Sequence, residues 1–444
     1  MISLLIRTRG PILTLSEPYH SPKRREQLRE LDVLPGGFLG LDRFEGKITY
    51  LSAQPPAATL INPQVIELDA GDRVVMPGFV DCHNHLVWAG SRAHEFFLRC
   101  EGESYQEIAT SGGGIAYTRE QTLKATEEQL LEVGRRHLRE LVDHGVTTLE
   151  GKSGYALTTQ GELKLLRVLR RLADEFAGTL VSTYLGAHMV PPERKQRREK
   201  YLAEVMAALG LIREQRLAEF CDVFIDEHAF TLTEAELLLK AAADAGFRLR
   251  VHGDQFGDGR AAELAVKLRA VTVDHLDALS EDGVRRLADS DTVCVLLPGA
   301  AFFTGSALKP PARRLIEAGA IVALATDLNP GSSHIFDPAI IMTLAALELK
   351  MTAEESIAAF TKNAAFALTR GYTKGSLAPG FDADVLVLGT DDYRDLAYGV
   401  GADLVDSVIA RGAVLKQRGV ISDRLSAPDY RGAASAASRE PSRA

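Results

Sequence analysis

Eight short β-rich runs, alternating with longer stretches whose apolar residues recur every three or four positions, leave this chain few folds to adopt. The runs are 74–81, 146–149, 180–185, 222–225, 249–252, 271–274, 293–297 and 321–325. Amphipathic helical patterns fall between them at 127–143, 161–176, 234–245, 258–268 and 311–318. Strand then helix, eight times over, is the order of an α/β protein built as a (β/α)8 TIM barrel. The competing doubly wound sheet wants a glycine-rich nucleotide turn after its first strand, and His83 and His85 occupy that place.

The two ends read differently. Up to residue 72 there are strand-like pieces at 48–52 and 65–68, cut by Pro55-Pro56 and Asn62-Pro63, and one charged helical stretch at 22–34. Similar pieces return at 375–377, 383–388 and 408–412. We expect 1–72 and 375–426 to pair into one small β-sandwich domain beside a barrel of 73–374, and the Ala/Ser/Arg-rich 427–444 to be a disordered tail. At 444 residues and 46% hydrophobic, the chain has material for a large core and a smaller companion.

A net charge of -9 argues against a basic footprint, so neither nucleic acid nor a membrane is expected as a partner. Mixed signs in 22–34 and in the basic run 194–200 read as solvated faces. The apolar part of the first seven residues is too short for a signal peptide and no stretch is long enough to span a bilayer, which points to the cytoplasm. The four widely spaced cysteines, Cys82, Cys100, Cys221 and Cys294, are expected to be reduced and mostly buried.

The first run ends in Pro77-Gly78-Phe79-Val80-Asp81-Cys82-His83-Asn84-His85. Residues two apart on a strand face one side, so His83 and His85 can share a metal ion while Cys82 points away. An isolated H-x-H is more often a pair of ordinary loop histidines. What counts against that here is the content of the other strand ends, where barrel enzymes carry their reactive groups. They supply Lys152, His188, Glu227 with His228, His252, His275 and Asp327. Singly, each has a bland reading: His188 as a loop cap, His228 as a surface residue, Asp327 as an Asx-turn residue. Together, three imidazoles and a carboxylate suit one Zn2+ or Fe2+/Fe3+ ion, with a water in an open position whose pKa falls to about 7. The fourth run leads into Asp226-Glu227-His228 with no lysine to be carboxylated and bridge two metals, so a single ion is the simpler count. His275 and Asp327 can share the proton traffic of hydrolysis.

With these motifs the chain resembles the amidohydrolase superfamily, on the string 77–85, His252, Asp274-His275, the aspartate after the eighth run and the closing Gly375-Ser376-Leu377-Ala378-Pro379-Gly380-Phe381-Asp382-Ala383-Asp384. Within it the chain is similar to the imidazolonepropionase family. That narrower likeness rests on Ala89-Gly90-Ser91-Arg92 with His94-Glu95-Phe96, Ser111-Gly112-Gly113-Gly114-Ile115, Lys152-Ser153-Gly154-Tyr155, Gly186-Ala187-His188-Met189-Val190-Pro191-Pro192, Leu296-Leu297-Pro298-Gly299-Ala300 and Thr326-Asp327-Leu328-Asn329-Pro330-Gly331-Ser332-Ser333. The resemblance implies a metal-dependent hydrolase of a cyclic amide C–N bond, opening the small molecule 4-imidazolone-5-propanoate with water to N-formimidoyl-L-glutamate in histidine degradation. It implies that His83, His85, His252 and Asp327 hold the metal and that His275 and Asp327 move protons. It further implies that Arg92 and Tyr155 receive the propionate and ring, that His188, Asn329, Gly331 and Ser332 complete the pocket, and that the protein is a homodimer. The chemistry agrees for Arg92, because a guanidinium grips a carboxylate through two charge-assisted hydrogen bonds.

One departure stands out. Many members of the family have a glutamate after the third metal histidine, where this chain has Gln255. An amide shuttles no proton but can hydrogen-bond the ring, so Gln255 is expected at the catalytic site as a substrate contact, with proton transfer left to His275 and Asp327. Two rivals stay open: another amidohydrolase, such as a cytosine or guanine deaminase-like hydrolase, which has no use for Arg92, and a catalytically silent binding protein of the same fold, which has no reason to keep a metal.

Overall fold

The computed structural model describes residues 1–103, 107–108, 112–417 and 420–421, so the expected tail 427–444 and Ser111 lie outside the described residues. The chain starts in β structure. Strands β1 (Ile2–Thr8), β4 (Gly37–Asp42), β5 (Lys47–Ser52) and β6 (Ile61–Gly71) form a four-stranded sheet in the order β5-β4-β1-β6. A second sheet takes β2 (Ile12–Leu13), β3 (Val33–Leu34) and β7 (Val75–Pro77) from the front of the chain. Its other strands come from the back: β16 (Val385–Leu388), β17 (Val405–Ala410), β18 (Ala413–Gln417) and β19 (Val420–Ile421). Leu4, Ile6, Leu39 and Leu41 of one sheet and Ile12, Val75, Val385, Val387 and Ile409 of the other share a single buried cluster. The chain ends thus meet as two facing sheets, a sandwich.

Between them lies an eight-stranded parallel sheet in strict chain order: β8 (Phe79–Asp81), β9 (Val146–Lys152), β10 (Thr179–Ala187), β11 (Phe220–Val223), β12 (Arg248–Gly253), β13 (Thr272–His275), β14 (Val293–Leu296) and β15 (Ile321–Leu324). Helices such as Glu127–Asp143, Thr159–Glu175 and Leu232–Asp244 connect the strands, opened by Thr126, Thr158 and Thr231, whose side chains accept from the first-turn backbone. The barrel closes just past the ends of its first and last strands. There Asp327 N donates to His83 O at 3.0 Å and His85 N to Leu328 O at 2.9 Å. The buried Asp81 carboxylate tightens the same seam by accepting from Thr326 N at 2.9 Å and Thr326 Oγ1 at 2.6 Å.

Several expectations change. The run 74–81 is two strands in two sheets: β7 pairs with β16 of the sandwich and β8 with β9 of the barrel. Gly78 makes the crossing, and a Cβ there would lie 2.1 Å from Thr147 Oγ1, so no side chain fits. Asn62-Pro63 does not end a strand, because β6 is a sheet edge and an edge tolerates a missing N–H. Residues 375–377 form no strand; Leu377 N bonds instead to Thr14 O at 2.8 Å. The stretch 22–34 is a short 3-10 turn, Arg25–Arg29, followed by β3, and part of it is not a solvated face. Lys23 and Leu28 are buried, and Arg24 donates to Ser290 O at 2.7 Å and Gly319 O at 2.8 Å, where helices Glu281–Ala288 and Ala312–Ala318 end. Cations find unsatisfied carbonyls at such ends. Of the cysteines, Cys82, Cys221 and Cys294 are buried, Cys100 is exposed, and all are free thiols. Among the described residues no helix is long and apolar enough to cross a membrane.

Helix Glu127–Asp143 also anchors the segment after His85. His137 sits against Trp88 with ring centroids 4.2 Å apart, and its Nδ1 lies 2.8 Å from Leu86 O. Burial pushes its pKa down from 6.5 to about 4. Because the unfolded chain takes up this proton below 6.5 and the folded one only near 4, the contribution is complete above pH 6.5 and is lost as pH falls toward 4. The loss is at most about 3 kcal/mol. Urea unfolding of wild type against His137→Phe, at pH 7.5 and 4.5, should show a flatter pH dependence in the variant; equal slopes would remove His137 from the account.

Candidate metal centre and pocket

The loop after β8, the ends of β12 and β13 and the loop after β15 bring five buried side chains together around His83. His83, His85, His252, His275 and Asp327 are all at most 3% exposed. Two groups with donor atoms mutually within 4.8 Å share His83: one with His85 and Asp327, the other with His252 and His275. His83 Nε2 is 3.4 Å and His85 Nε2 3.7 Å from Asp327 Oδ1. Two metal bonds of about 2.1 Å at a tetrahedral angle set their donors about 3.4 Å apart, so this spacing suits a cation between them. His275, expected as a proton carrier, stands as near the centre as the expected ligands, with its ring centroid 5.7 Å from that of His83 and 5.5 Å from that of His252.

Their second nitrogens are held from behind. His83 Nδ1 lies 2.7 Å from Asp274 Oδ2 and His252 Nδ1 3.0 Å from Asp222 Oδ2. The Nδ1 hydrogen bond of His83 to Asp274 leaves its Nε2 lone pair facing inward, His252 Nδ1 meets Asp222 as a close polar contact, and neither Nε2 has a hydrogen-bond partner among the described residues. Buried polar atoms without partners are rare and call for a ligand. Burial, above all, pushes His83, His85 and His275 well below 6.5, so they are neutral, the form that binds metal. Burial likewise raises Asp327 well above the usual carboxylate range. The donor set therefore fits a metal cofactor. His275 (φ 81°) and Asp327 (φ 51°) both adopt left-handed backbone, a strained conformation that clusters at functional sites.

The rest of the pocket borders this centre. Tyr155 and His188 flank His85, with ring centroids 5.4 and 5.1 Å from it. Gly154, at φ 108°, turns the chain so that its carbonyl meets His188 Nδ1 at 3.0 Å. Burial holds His188 neutral, its pKa lowered to about 3. Arg92 is buried and donates from Nε to Glu95 Oε2 at 2.8 Å, while Glu95 Oε1 accepts from Gly114 N at 2.9 Å. The Arg92 guanidinium lies flat against Gly331, where a Cβ would come within 2.0 Å of Nη1. Asn329 is occupied within its own loop: Nδ2 donates to Asp327 O at 2.7 Å and Ser332 Oγ at 2.9 Å, and Oδ1 accepts from Gly331 N and Ser332 N. It shapes the loop after Asp327, with its hydrogen-bonding capacity already used. Gln255 is half-buried, three positions beyond His252.

Two strand-end expectations fall away. Glu227 and His228 face solvent, at 78% and 66% side-chain exposure, and pair with each other. Lys152 belongs to β9 and is fully buried among carboxylates instead of standing at the mouth. Sequence reasoning missed Glu150, Asp222, Arg250 and the ring of Phe224, whose centroid is 6.1 Å from that of His252. The available signal was charge inside apolar runs: Glu150 with Lys152, and Arg250 with His252, are two-residue steps along single strands.

Fold and site together define a metal-site hydrolase barrel, and the chain belongs to the amidohydrolase family, whose model matches residues 74–415. Within that family it stands among the imidazolonepropionases. It is 39% identical over 425 residues to the imidazolonepropionase of Geobacillus thermodenitrificans, covering 95% of this chain and all of that one. It is 40% identical over 408 residues to that of Solibacter usitatus, covering 92% and 97%. Solved structures share the fold at far lower identity. E. coli guanine deaminase superposes with a TM-score of 0.70 over 94% of this chain and 100% of that chain, at 15% identity. An adenosine deaminase from Xanthomonas campestris, solved with bound zinc, gives 0.67 over 95% and 94%, at 16%.

Proposed function

We propose that this site opens 4-imidazolone-5-propanoate with water to give N-formimidoyl-L-glutamate, the reaction of an imidazolonepropionase. The observation that carries the reading is the convergence of inward-facing imidazole nitrogens on Asp327, with a buried guanidinium against the loop that Asp327 begins. His83, His85, His252 and Asp327 would hold one Zn2+ or Fe2+/Fe3+ ion, a donor set that accommodates either metal. When bound, such an ion supplies Lewis acidity and brings the pKa of a water near 7.

The chain's own residues do the rest. Arg92 pairs with the propionate and fixes how far the ring enters. Tyr155, His188 and Gln255 line the ring, and the 329–332 loop packs against the Arg92 guanidinium at Gly331. The new bond joins the water oxygen to the ring carbonyl carbon; the C–N bond breaks, and the leaving nitrogen takes a proton. Asp327, beside His83 and His85, is placed to receive the water's proton and return it to the leaving nitrogen, and His275, beside His83 and His252, to polarise the carbonyl. Gln255 carries no proton and serves as a hydrogen-bond partner to the ring. A cytoplasmic homodimer belongs to the same reading and is checked by sedimentation of the purified protein.

The test is loss of imidazolone absorbance with and without a chelator. Turnover that stops on metal removal and returns with added Zn2+ or Fe2+ is expected. No turnover at full metal occupancy would refute the assignment, and ammonia release from cytosine or guanine would transfer it to the deaminase class.

A further inference from the structure

Beneath the histidines, inside the barrel, five charged side chains are wholly excluded from solvent: Glu150, Lys152, Asp222, Arg250 and Asp274. Lys152 Nζ lies 2.6 Å from Asp222 Oδ2, 2.9 Å from Glu150 Oε2 and 3.8 Å from Asp274 Oδ2. Arg250 reaches Glu150 through Nε at 3.2 Å and Asp274 through Nη2 at 3.2 Å, and its Nη2 also donates to Cys82 O at 2.7 Å. Thr183 Oγ1 adds a hydrogen bond to Glu150. Two cations thus face three carboxylates. The excess negative charge is directed at His83 and His252, whose Nδ1 atoms meet Asp274 and Asp222.

We infer that Lys152 is a positioning residue of the metal centre: by bridging Asp222, Glu150 and Asp274 it fixes the two carboxylates that orient His252 and His83 toward the ion. This rests on the reading that His83 and His252 hold the metal. Lys152 touches Asp222 and also reaches Asp274, so it couples the supports of two ligands carried on different strands. Burial alone would strip Lys152 of its proton, but Asp222 and Glu150 hold its pKa above the usual lysine value. Outer partners of metal ligands act in this way, fixing tautomer and ring direction. A buried ion-pair cluster kept only for stability would leave metal affinity unmoved.

The experiment measures Zn2+ affinity of purified apoprotein by competition with a chromogenic chelator, alongside thermal unfolding. Lys152→Met is expected to weaken Zn2+ binding roughly 10–100-fold. The double variant Lys152→Met/Asp222→Asn should recover part of that loss, because an amide oxygen still accepts from His252 Nδ1 with no unpaired charge beneath it. If Lys152→Met does not fold, Lys152→Gln carries the same expectation. Lowered unfolding temperature with unchanged Zn2+ affinity in the folded variant would overturn the inference. His252→Ala is the control: if it binds Zn2+ normally the metal assignment itself fails, whereas loss there with full affinity in the Lys152 variants defeats only the role of Lys152.

Discussion

Asp327→Ala is expected to lower kcat by roughly 10³-fold or more and to leave the purified protein short of metal, while its far-UV circular dichroism stays that of the wild type. The size follows from the number of roles placed on one carboxylate. Its Oδ1 stands 3.4 Å from His83 Nε2 and 3.7 Å from His85 Nε2, so removing it takes the carboxylate from the proposed donor set. The same group is the proposed acceptor of the water's proton, and Gln255, an amide, does not take over that role. The fold should survive, because the seam at this point is carried by main-chain bonds from Asp327 N to His83 O and from His85 N to Leu328 O, and the side-chain bond from Asn329 Nδ2 ends on the main-chain oxygen of residue 327, all of which alanine retains. Metal content by atomic emission and kcat by the absorbance assay check it together. Full metal with near-normal turnover would mean that Asp327 neither binds nor transfers.

The barrel is legible in the sequence because its strands are apolar runs of four to eight residues separated by amphipathic helices, and chain order equals sheet order. His83, His85, His252, His275 and Asp327 are legible for a related reason: each stands at or just past a strand end. What periodicity does not convey is sharing between sheets. The run 74–81 is uniformly apolar, yet Val75 packs in the sandwich and Phe79 in the barrel, and only the steric demand at Gly78 separates them. Helix Pro338–Leu349 escapes for the opposite reason, being apolar on several sides and so without a face to detect. The charges 22–34 resemble a solvated helix because sequence does not show that Arg24 meets helix-end carbonyls nearly three hundred residues away. Glu150, Asp222 and Arg250 were hidden by the habit of reading strand interiors as apolar; the barrel interior here holds a closed set of charges that orient the ligands above it.

Arg92→Ala is expected to raise KM by roughly 10²-fold or more, the loss of charge-assisted hydrogen bonds worth about 3 kcal/mol to the substrate carboxylate, with metal content unchanged. Gly331→Ala should act through the same group. A Cβ at 331 would stand 2.0 Å from Arg92 Nη1 and 2.4 Å from its Cζ, so the guanidinium must move, and Glu95, buried and bonded to both Arg92 Nε and Gly114 N, resists its retreat. The two substitutions should therefore be strongly non-additive: the double variant should have a KM no higher than Arg92→Ala alone, because the added methyl then has nothing to displace. An imidazolone lacking the propionate separates this account from general damage to the site. With that analogue both variants should turn over as wild type does, since the interaction they remove is one it never makes. Equal losses on substrate and analogue would place Arg92 among residues that merely hold the 329–332 loop, and would reopen the deaminase-like reading in which no substrate carboxylate is gripped.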